Sequence, residues 1–413
     1  MMMGMKTVEL THFNNISRKL PEGWELVPLG TITDVIMGQS PPGKSYNSEG
    51  KGLPFFQGKA EFGDLLPTPV KWCTEPKKIS QPGDVLISVR APVGPTNMTR
   101  EESCIGRGLA AIRPGNGLNT KYLLYALRAL ENSLSKQGTG STFGAIGKKL
   151  LSDFAIPVPR PIQPSESLQI QRRIVARIEA FMAEIKKARQ LLDQMRYDSE
   201  VIVEAKSEEA LSGLGTIPFQ ALVKSYKNGI YKPKHYYGRG YPSARMFNIK
   251  DGEVNLDGAP LLDVTPDELD TYGLKDGDIL INRVNSRELV GKSGWVSNNL
   301  GPCTFESKNI RVRIHNNLAD PAFIVIGLNS TFVKKQILQK QKPAIGQATI
   351  NQSDLNELEI PFSSDIKEQK KIVDDIMKVK AEVDEMRCLQ QQDIELLNQL
   401  EQSILERAFR GEL

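Results

Sequence analysis

The chain has 413 residues, of which 39% are hydrophobic and 25% are charged, and its 53 Lys and Arg residues slightly outnumber its 49 Asp and Glu residues. This composition excludes wholesale disorder, collagen and a membrane protein, since no apolar run reaches about 18 residues. The 4 cysteines and 3 histidines are dispersed, which argues against a disulfide framework and against a zinc site. Because residues 1–6 lack an apolar signal core, we expect a cytoplasmic protein without membrane association.

The first part of the chain, residues 1–163, is rich in Gly and Pro, and turns bound its short β-branched runs. This pattern predicts a strand-dominated domain, with the clearest strand at 84–89 and the best helix at 120–134. Residues 38–45 fit the phosphate-loop pattern GxxxxGK[ST]. The residues after them do not readily begin a helix, and two prolines remove amides that a phosphate cradle needs, so we interpret this segment as a surface turn.

Two long helices are predicted at 164–212 and 364–413. Each carries apolar residues at alternating spacings of four and three, which is typical of a coiled-coil seam, and each would span about 65–70 Å. We expect the two helices to pair with each other, the alternative being that each packs only on its own domain. The seam residues are Ile174, Ile178, Phe181, Ile185, Ala188, Leu192 and Met195 in the first helix, and Ile372, Ile376, Val379, Val383, Met386, Leu397, Leu400 and Ile404 in the second.

The second half of the chain repeats the first. Residues 213–363 resemble 1–163 in composition, with a predicted strand at 278–283 and a predicted helix at 322–340 in matching places. Three short matches occur in the same order: GDVLIS at 83–88 with GDILIN at 277–282, FAIP at 154–157 with LEIP at 358–361, and QRRIV at 171–175 with QKKIV at 369–373. We predict two tandem α+β units, the alternative being coincidence among common residue pairs.

The strongest functional signal is the basic, tyrosine-rich segment 224–245, because the net charge of +4 indicates no partner by itself. The segment holds six Lys or Arg residues, no Asp or Glu, and half of the ten tyrosines. Lys and Arg neutralise phosphates, Arg reads guanine edges and Tyr packs on sugars and bases, so we predict a DNA-binding surface. The alternative is a solvated basic surface with tyrosines used for packing. The candidate residues are Tyr231, Lys232, Lys234, Tyr236, Arg239, Tyr241 and Arg245.

The corresponding stretch of the first half, 38–59, is less basic and gives a weaker signal. Its candidate DNA-binding residues are Lys44, Tyr46, Gln57 and Lys59. Arg90 and Arg283 follow the two matched strands and are secondary candidates. Matched loops at 138–142 and 344–349 are read equally well as phosphate-holding loops and as entries into a helix.

Common enzyme motifs are absent from the sequence. The catalytic Asn/Asp-Pro-Pro-aromatic motif and the Gly-rich cofactor loop of a DNA methyltransferase do not occur. The Pro-Asp pair at 266–267 lacks the following acid and lysine of a nuclease, and the three histidines suggest no catalytic base. We therefore expect no catalytic residues, no metal and no cofactor.

The order of these motifs resembles the specificity (S) subunit of type I restriction-modification systems. The resemblance covers nearly the whole chain and also includes GWE at 23–25, PLG at 28–30 and GQSP at 38–41. It implies that 1–163 and 213–363 are target-recognition domains, each reading half of a split DNA site. It also implies that 164–212 and 364–413 are spacer helices, paired as an antiparallel coiled coil that separates two pseudo-symmetric domains.

The resemblance further implies a subunit without catalytic residues that binds double-stranded DNA and docks two methyltransferase subunits. Those subunits bind S-adenosylmethionine and methylate adenine, and restriction subunits complete the complex. A pseudo-twofold axis would place the half-sites about one helical turn apart, roughly 10 bp from centre to centre. The chief alternative is an interaction scaffold or regulator without sequence-specific DNA contacts, and an enzyme is the third possibility.

Overall fold

The computed structural model of the chain describes residues 20–138, 145–297, 300–344 and 347–413. Most of the matched loop at 138–142, and part of its counterpart at 344–349, lie outside the described residues. The chain divides into two compact units, each with its own core. Unit 1 comprises Met1–Leu192 and Gln391–Leu413, and unit 2 comprises Asp193–Gln390.

Unit 1 mixes short strands with helices. Its strands are β1 (Trp24–Pro28), β2 (Thr33–Met37), β3 (Tyr46–Asn47), β4 (Leu53–Phe56), β5 (Trp72–Cys73), β6 (Ile79–Ser80), β7 (Val85–Ser88), β8 (Thr96–Met98), β9 (Ser103–Ile105), β10 (Leu109–Pro114) and β11 (Ala155–Pro159). Its helices are α1 (Leu29–Ile32), α2 (Thr120–Ala129), α3 (Glu131–Gly138), α4 (Lys148–Asp153) and the first part of α5 (Pro164–Leu211). The final turns of the last helix of the chain, α10 (Ile366–Phe409), complete the unit.

The strands of unit 1 form two sheets and a ribbon. The sheets have the orders β2-β10-β7-β8 and β3-β5-β4-β9-β6, and β1 pairs with β11 in an antiparallel ribbon. Strand β7 is buried along its whole length, and it contributes with α2 to the main apolar cluster. Ile178 of α5 and Phe409 of α10 belong to the same cluster, so both long helices pack on this core.

Unit 2 has a similar inventory. Its strands are β12 (Gly215–Pro218), β13 (Val223–Asn228), β14 (Tyr237–Ala244), β15 (Ile249–Lys250), β16 (Glu253–Val254), β17 (Leu261–Leu262), β18 (Ile279–Asn282), β19 (Val284–Asn285), β20 (Ser293–Trp295), β21 (Thr304–Phe305), β22 (Asn309–Ile314), β23 (Lys342–Ala344), β24 (Gln347–Thr349) and β25 (Glu359–Phe362). Its helices are α6 (Pro266–Tyr272), α7 (Pro321–Asn329), α8 (Thr331–Lys340), α9 (Gln352–Asn356), the end of α5 and most of α10.

The largest sheet of unit 2 has the order β13-β22-β18-β20-β16-β15. Smaller sheets have the orders β17-β14-β21 and β19-β24-β23, and β12 pairs with β25 in an antiparallel ribbon. The main apolar cluster joins β18, β22 and α7 to Leu211 of α5, and Ile372 of α10 packs against it. Thus each unit contains a two-stranded antiparallel ribbon, and the second strand of that ribbon precedes a long helix in the chain.

Each of the two predicted globular helices is in fact two helices. The predicted helix at 120–134 is divided into α2 and α3, and the one at 322–340 into α7 and α8. In the second case the Ser330 hydroxyl accepts a hydrogen bond from the Val333 amide and so caps a new helix inside the apolar run. A side-chain cap of this kind ends the preceding helix even where the apolar pattern continues. The segment 38–45 is a turn, as interpreted, because a single 3-10 turn at Gly43–Ser45 leads directly into β3.

The matched Gln-basic-basic-Ile-Val motif anchors each long helix. In unit 1 the Gln171 carboxamide is fully buried, accepts a hydrogen bond from the Asn119 amide (2.7 Å) and donates to the Gly117 carbonyl (2.9 Å). In unit 2 a buried glutamine, Gln369, accepts from the Asp320 amide (2.8 Å) and also donates to nearby carbonyls. Each glutamine thereby joins a long helix to the loop that begins α2 or α7.

The matched Gly-Asp-hydrophobic motif places an aspartate at the start of each central strand. Asp84 is buried and accepts two hydrogen bonds from the Arg113 guanidinium, both of 2.9 Å. Asp278 is buried and accepts two from Arg313, of 2.6 and 3.1 Å. The hydrogen bonds that Arg113 and Arg313 donate to these carboxylates raise the pKa of the two guanidinium groups. These bidentate pairs tie neighbouring strands together and explain why the motif occurs twice.

The predicted seam of the long helices is buried only in part. In unit 1, Arg189 of α5 donates hydrogen bonds to Asn398 (2.8 Å) and Glu401 (2.7 Å) of α10. Ile174, Ile178, Ile185 and Ile404 are buried in unit 1, and Ile376 and Val383 are buried in unit 2. Phe181, Met195 and Leu400 of the same pattern are exposed. Among the described residues, no helix combines the length and the apolar character needed to cross a bilayer.

Candidate nucleic-acid interface

The basic, tyrosine-rich segment 224–245 runs along β13, a single 3-10 turn and β14 of unit 2. The turn at Lys234–Tyr236 begins after Pro233, and the Tyr236 amide donates to the Pro233 carbonyl (3.1 Å). The exposed candidate residues are Tyr231, Lys234, Arg239 and Tyr241, and the half-buried ones are Lys232, Tyr236 and Arg245. Tyr231 is the most prominent, since 79% of its surface is accessible.

Acidic residues from outside the segment pair with several of its cations. Lys232 Nζ lies 2.5 Å from Glu268 Oε2, and only 12% of the lysine side chain is accessible. Arg239 donates two hydrogen bonds to Asp263 Oδ2, of 2.9 and 2.7 Å, although 79% of its side chain is accessible. The segment is therefore less positive in the folded protein than its own composition indicates.

Lys232 serves to fix the segment on α6. Besides its ion pair with Glu268, its ammonium donates to the Asp263 carbonyl (2.9 Å) and lies 4.7 Å from the centre of the Tyr236 ring. The hydrogen bond from Lys232 lowers the pKa of Glu268, which also caps α6 by accepting from the Thr265 amide. A lysine so extensively engaged is poorly placed to neutralise a phosphate.

Four of the five tyrosines of the segment divide into two groups. Tyr226 is half-buried and donates its hydroxyl proton to Asn356 Oδ1 (2.7 Å), and burial raises the pKa of its hydroxyl. The Tyr237 ring lies 5.2 Å from the guanidinium carbon of Arg245. Tyr231 and Tyr241 project into solvent, which suits them for stacking on a sugar or a base. Packing and potential contact roles thus occur in the same segment.

The candidates of unit 1 lie in a smaller patch. Lys44, Gln57 and Lys59 are exposed, and neither lysine forms an ion pair with any residue that the structure describes. Tyr46 is half-buried, stacks on Phe55 with 4.7 Å between ring centres and donates its hydroxyl proton to the Pro41 carbonyl (2.9 Å). Its role inside the fold is therefore to pack β3 on β4.

Arg90 and Arg283 do not occupy equivalent places. In unit 1 the Val89 amide donates a hydrogen bond to the Gly108 carbonyl (2.9 Å). In unit 2 the equivalent hydrogen bond runs from the Arg283 amide to the Lys308 carbonyl (2.9 Å). Arg283 therefore corresponds to Val89, and Arg90 lies one residue beyond the matched position. Arg90 is exposed, whereas Arg283 is half-buried and its Nε has no hydrogen-bond partner among the described residues.

Three chain segments of unit 1 converge beside its candidate residues. They are the end of β2, the end of β4 and the turn between β9 and β10. The hydrogen bonds that join them run from Gly38 N to Leu109 O (2.9 Å), from Gln39 N to Ile105 O (3.0 Å) and from Gly106 N to Phe56 O (2.8 Å). We call this arrangement the three-segment junction. It positions Gln39, Gln57 and Arg107, all of them exposed.

Unit 2 contains the same junction. The corresponding hydrogen bonds run from Gly229 N to Asn309 O (3.1 Å), from Ile230 N to Phe305 O (2.9 Å) and from Glu306 N to Ala244 O (3.0 Å). The places of Gln39, Gln57 and Arg107 are thus held by Ile230, Arg245 and Ser307. The backbone framework recurs, whereas the side chains that it presents are different.

Sequence reasoning missed Arg107 because the residue stands outside the basic segments. The available signal was local: Arg107 is flanked by two glycines between two short apolar strands. A loop residue held by such a framework is a stronger functional indication than its isolated charge.

Residues 21–194 match the family model described as the type I restriction modification DNA specificity domain. This part of the chain is therefore similar to the DNA specificity domains of type I restriction-modification systems. A relative from Methanocaldococcus jannaschii, the MjaX specificity subunit, is 42% identical over 174 residues, or 41% of this chain and 39% of the relative. The EcoKI specificity subunit of Escherichia coli K12 is 25% identical over 431 residues, or 96% of this chain and 90% of the relative.

A solved structure that is similar to part of this chain is the HsdS subunit of Thermoanaerobacter tengcongensis. It is 51% identical over a match that covers 42% of this chain and 41% of that chain, with a TM-score of 0.37. The match therefore spans about two fifths of the length of the MjaX relative and about two fifths of the length of this HsdS subunit.

Proposed function

We propose that the chain is the non-catalytic DNA-binding subunit of a type I restriction-modification complex and that each unit reads one half of a bipartite target. The observation that carries this proposal is the three-segment junction, which has equivalent backbone hydrogen bonds in both units but different side chains at the matched positions. A shared framework with different side chains is what two unlike half-sites require, because base edges are read by side chains. Such a complex would act in the cytoplasm.

We propose that 1–163 and 213–363 are the target-recognition domains and that 164–212 and 364–413 are spacer helices. Contacts within unit 1 support an antiparallel pairing of these helices. Ile178 shares an apolar cluster with Phe409, whereas Arg189, further along α5, reaches Asn398 and Glu401. The residue numbers of the partners fall along α10 as those along α5 rise, as antiparallel helices require.

Exposed apolar side chains on the long helices support a role in docking partner subunits. They include Phe181, Leu191, Leu396 and Leu400 in unit 1, and Met195, Tyr197, Val201, Ile202 and Leu389 in unit 2. Apolar side chains in such numbers on a solvated helix surface are typical of interaction sites. We propose that two methyltransferase subunits dock there, that they bind S-adenosylmethionine, and that restriction subunits complete the assembly around double-stranded DNA.

A footprint of the assembled complex on a pool of random duplex DNA tests the proposed function. The expected result is protection of one bipartite sequence, with two half-sites whose centres are about one helical turn apart. Uniform protection that fades as the salt concentration rises would contradict it, because that behaviour reports phosphate contacts alone.

The alternative function, a scaffold without sequence-specific DNA contacts, is favoured by one observation. Lys232 and Arg239, two of the strongest cationic candidates, are paired with Glu268 and Asp263. In that case the chain would still assemble with the methyltransferase subunits. The rate of methylation by the complex would not depend on the DNA sequence that this chain covers.

A further inference from the structure

The turn between β9 and β10 of unit 1, residues 106–108, is held rigidly. The Gly106 amide donates to the Phe56 carbonyl, and the Gly108 carbonyl accepts from the Val89 amide (2.9 Å). A Cβ on Gly108 would lie 2.2 Å from the Gln57 carbonyl oxygen, and one on Gly106 would lie 3.2 Å from Gln57 Cα. The turn therefore packs directly against the backbone of Gln57, and only glycine fits at position 108 without displacing that backbone.

Arg107 projects from this turn into solvent between two buried glycines. Its guanidinium forms no ion pair or hydrogen bond with any residue in the described parts of the chain. Arg113, a few residues further along, is by contrast held by Asp84. Burial, together with Cys73 and Cys104, raises the pKa of the Tyr46 hydroxyl, and the charge of Arg107 opposes that rise.

Gln39 and Gln57 complete the patch. Both side chains are exposed, and the three-segment junction holds both backbones against the turn that carries Arg107. Arginine matches the O6 and N7 atoms of guanine, and glutamine matches the N6 and N7 atoms of adenine. One arginine flanked by two glutamines on a rigid frame is therefore a set of donors and acceptors suited to base edges rather than to phosphates alone.

Unit 2 also has an arginine at its junction, but a different segment supplies it. Arg245 occupies the place of Gln57 and its guanidinium carbon lies 5.2 Å from the centre of the Tyr237 ring. The place of Arg107 is held by Ser307, which carries no charge. The junction arginine is thus supplied by the turn between β9 and β10 in unit 1 and by the residue that follows β14 in unit 2.

We propose that Arg107 is the specificity-determining arginine of unit 1, that it reads a guanine edge in one half-site with Gln39 and Gln57 beside it, and that Arg245 has this role in unit 2. The proposal rests on the DNA-reading function proposed above. It adds the residues that determine the sequence and the base class that they recognise.

The test is selection of bound sequences from a random duplex DNA library by the full-length chain assembled with its methyltransferase subunits. The variants are Arg107→Ala, Arg107→Lys and the control Arg100→Ala, which removes an equally exposed arginine of unit 1. The wild-type complex should select a bipartite sequence with a guanine at the position that Arg107 reads. Both Arg107 variants should lose that guanine and bind the selected site about 5- to 100-fold more weakly, since lysine lacks the bidentate fork. Arg100→Ala should retain it.

The possible failures are distinguishable. A wild-type complex that selects no sequence at all would overturn the proposed function itself. A wild-type complex that selects its sequence while both Arg107 variants retain every base preference would overturn only the assignment of Arg107. The assignment would also fail if Arg107→Ala weakened binding to all sequences equally and reduced the slope of log affinity against log salt concentration by about one. That result would identify a phosphate contact.

Discussion

Asp263 illustrates how single residues set the charge of the candidate surface. Its carboxylate accepts both hydrogen bonds that the Arg239 guanidinium makes, and its carbonyl accepts a third bond from Lys232. Arg239 and Lys232 belong to a sequence segment that contains no Asp or Glu. In the folded protein they contact Asp263, which directly follows β17. Because Arg239 remains largely exposed, its ion pair with Asp263 is screened by solvent and open to competition from a phosphate.

Replacing Asp263 with Asn should therefore strengthen binding to duplex DNA of any sequence. We expect a rise of about 2- to 5-fold, since an exposed ion pair contributes at most about 1 kcal/mol. The slope of affinity against salt concentration should also steepen, because Arg239 becomes free to neutralise a phosphate. Fluorescence anisotropy with labelled non-specific DNA at several salt concentrations measures both quantities.

Asp257→Asn is the matched control, since it removes the same charge from an exposed site in unit 2. In an Arg239→Ala background the effect of Asp263→Asn should disappear. If the two aspartate variants bind DNA equally well, Arg239 does not reach a phosphate and its place among the DNA-binding candidates is wrong.

At the scale of the elements, the repeated motifs could be read from the sequence because each one performs a local structural task. The aspartate of Gly-Asp-hydrophobic pairs with an arginine of the neighbouring strand, and the glutamine of the helix motif anchors a long helix. The division of the 322–340 helix at Ser330 was missed, because one capping hydroxyl in an apolar run leaves the periodicity unchanged. The pairing of cations with Glu268 and Glu306 was also missed, since those acids are far from the basic segment in sequence.

The buried glutamine of α10 should be important for the stability of unit 2. Gln369→Ala leaves the Asp320 amide and the Ser363 carbonyl without their buried partner, which costs about 1–3 kcal/mol. We expect unfolding at a lower urea concentration than for the wild-type chain, as measured by far-UV circular dichroism. Gln391→Ala, at an exposed position of the same helix, should leave the midpoint unchanged. Equal midpoints for the two variants would show that the carboxamide anchor is dispensable.

At the scale of the whole molecule, the chain consists of two compact units that have several features in common. Each unit has its own apolar cores, its own ribbon at the foot of the long helices and its own three-segment junction. The side chains at the matched junction positions differ between the units, so their base preferences should differ as well. Changes at the two junctions should be energetically independent, because residues without shared contacts usually contribute additively.

Arg107→Ala and Arg245→Ala should therefore alter different halves of the selected DNA sequence. We expect each single variant to relax one position in one half-site and the double variant to relax both, with free-energy losses that add to within about 0.5 kcal/mol. Library selection and binding isotherms with the assembled complex supply the two measurements. A single variant that changed both half-sites would contradict the division of reading between the units.

The glycines of the 106–108 turn have a consequence for how such proteins diversify. The turn is held by backbone hydrogen bonds and by close backbone contacts, none of which involves the side chain at 107. Replacing that residue therefore leaves the folding of unit 1 intact while it changes the exposed chemistry. If Arg107 reads a guanine as proposed, a single substitution at position 107 would change the base preference of unit 1 without a cost to its fold.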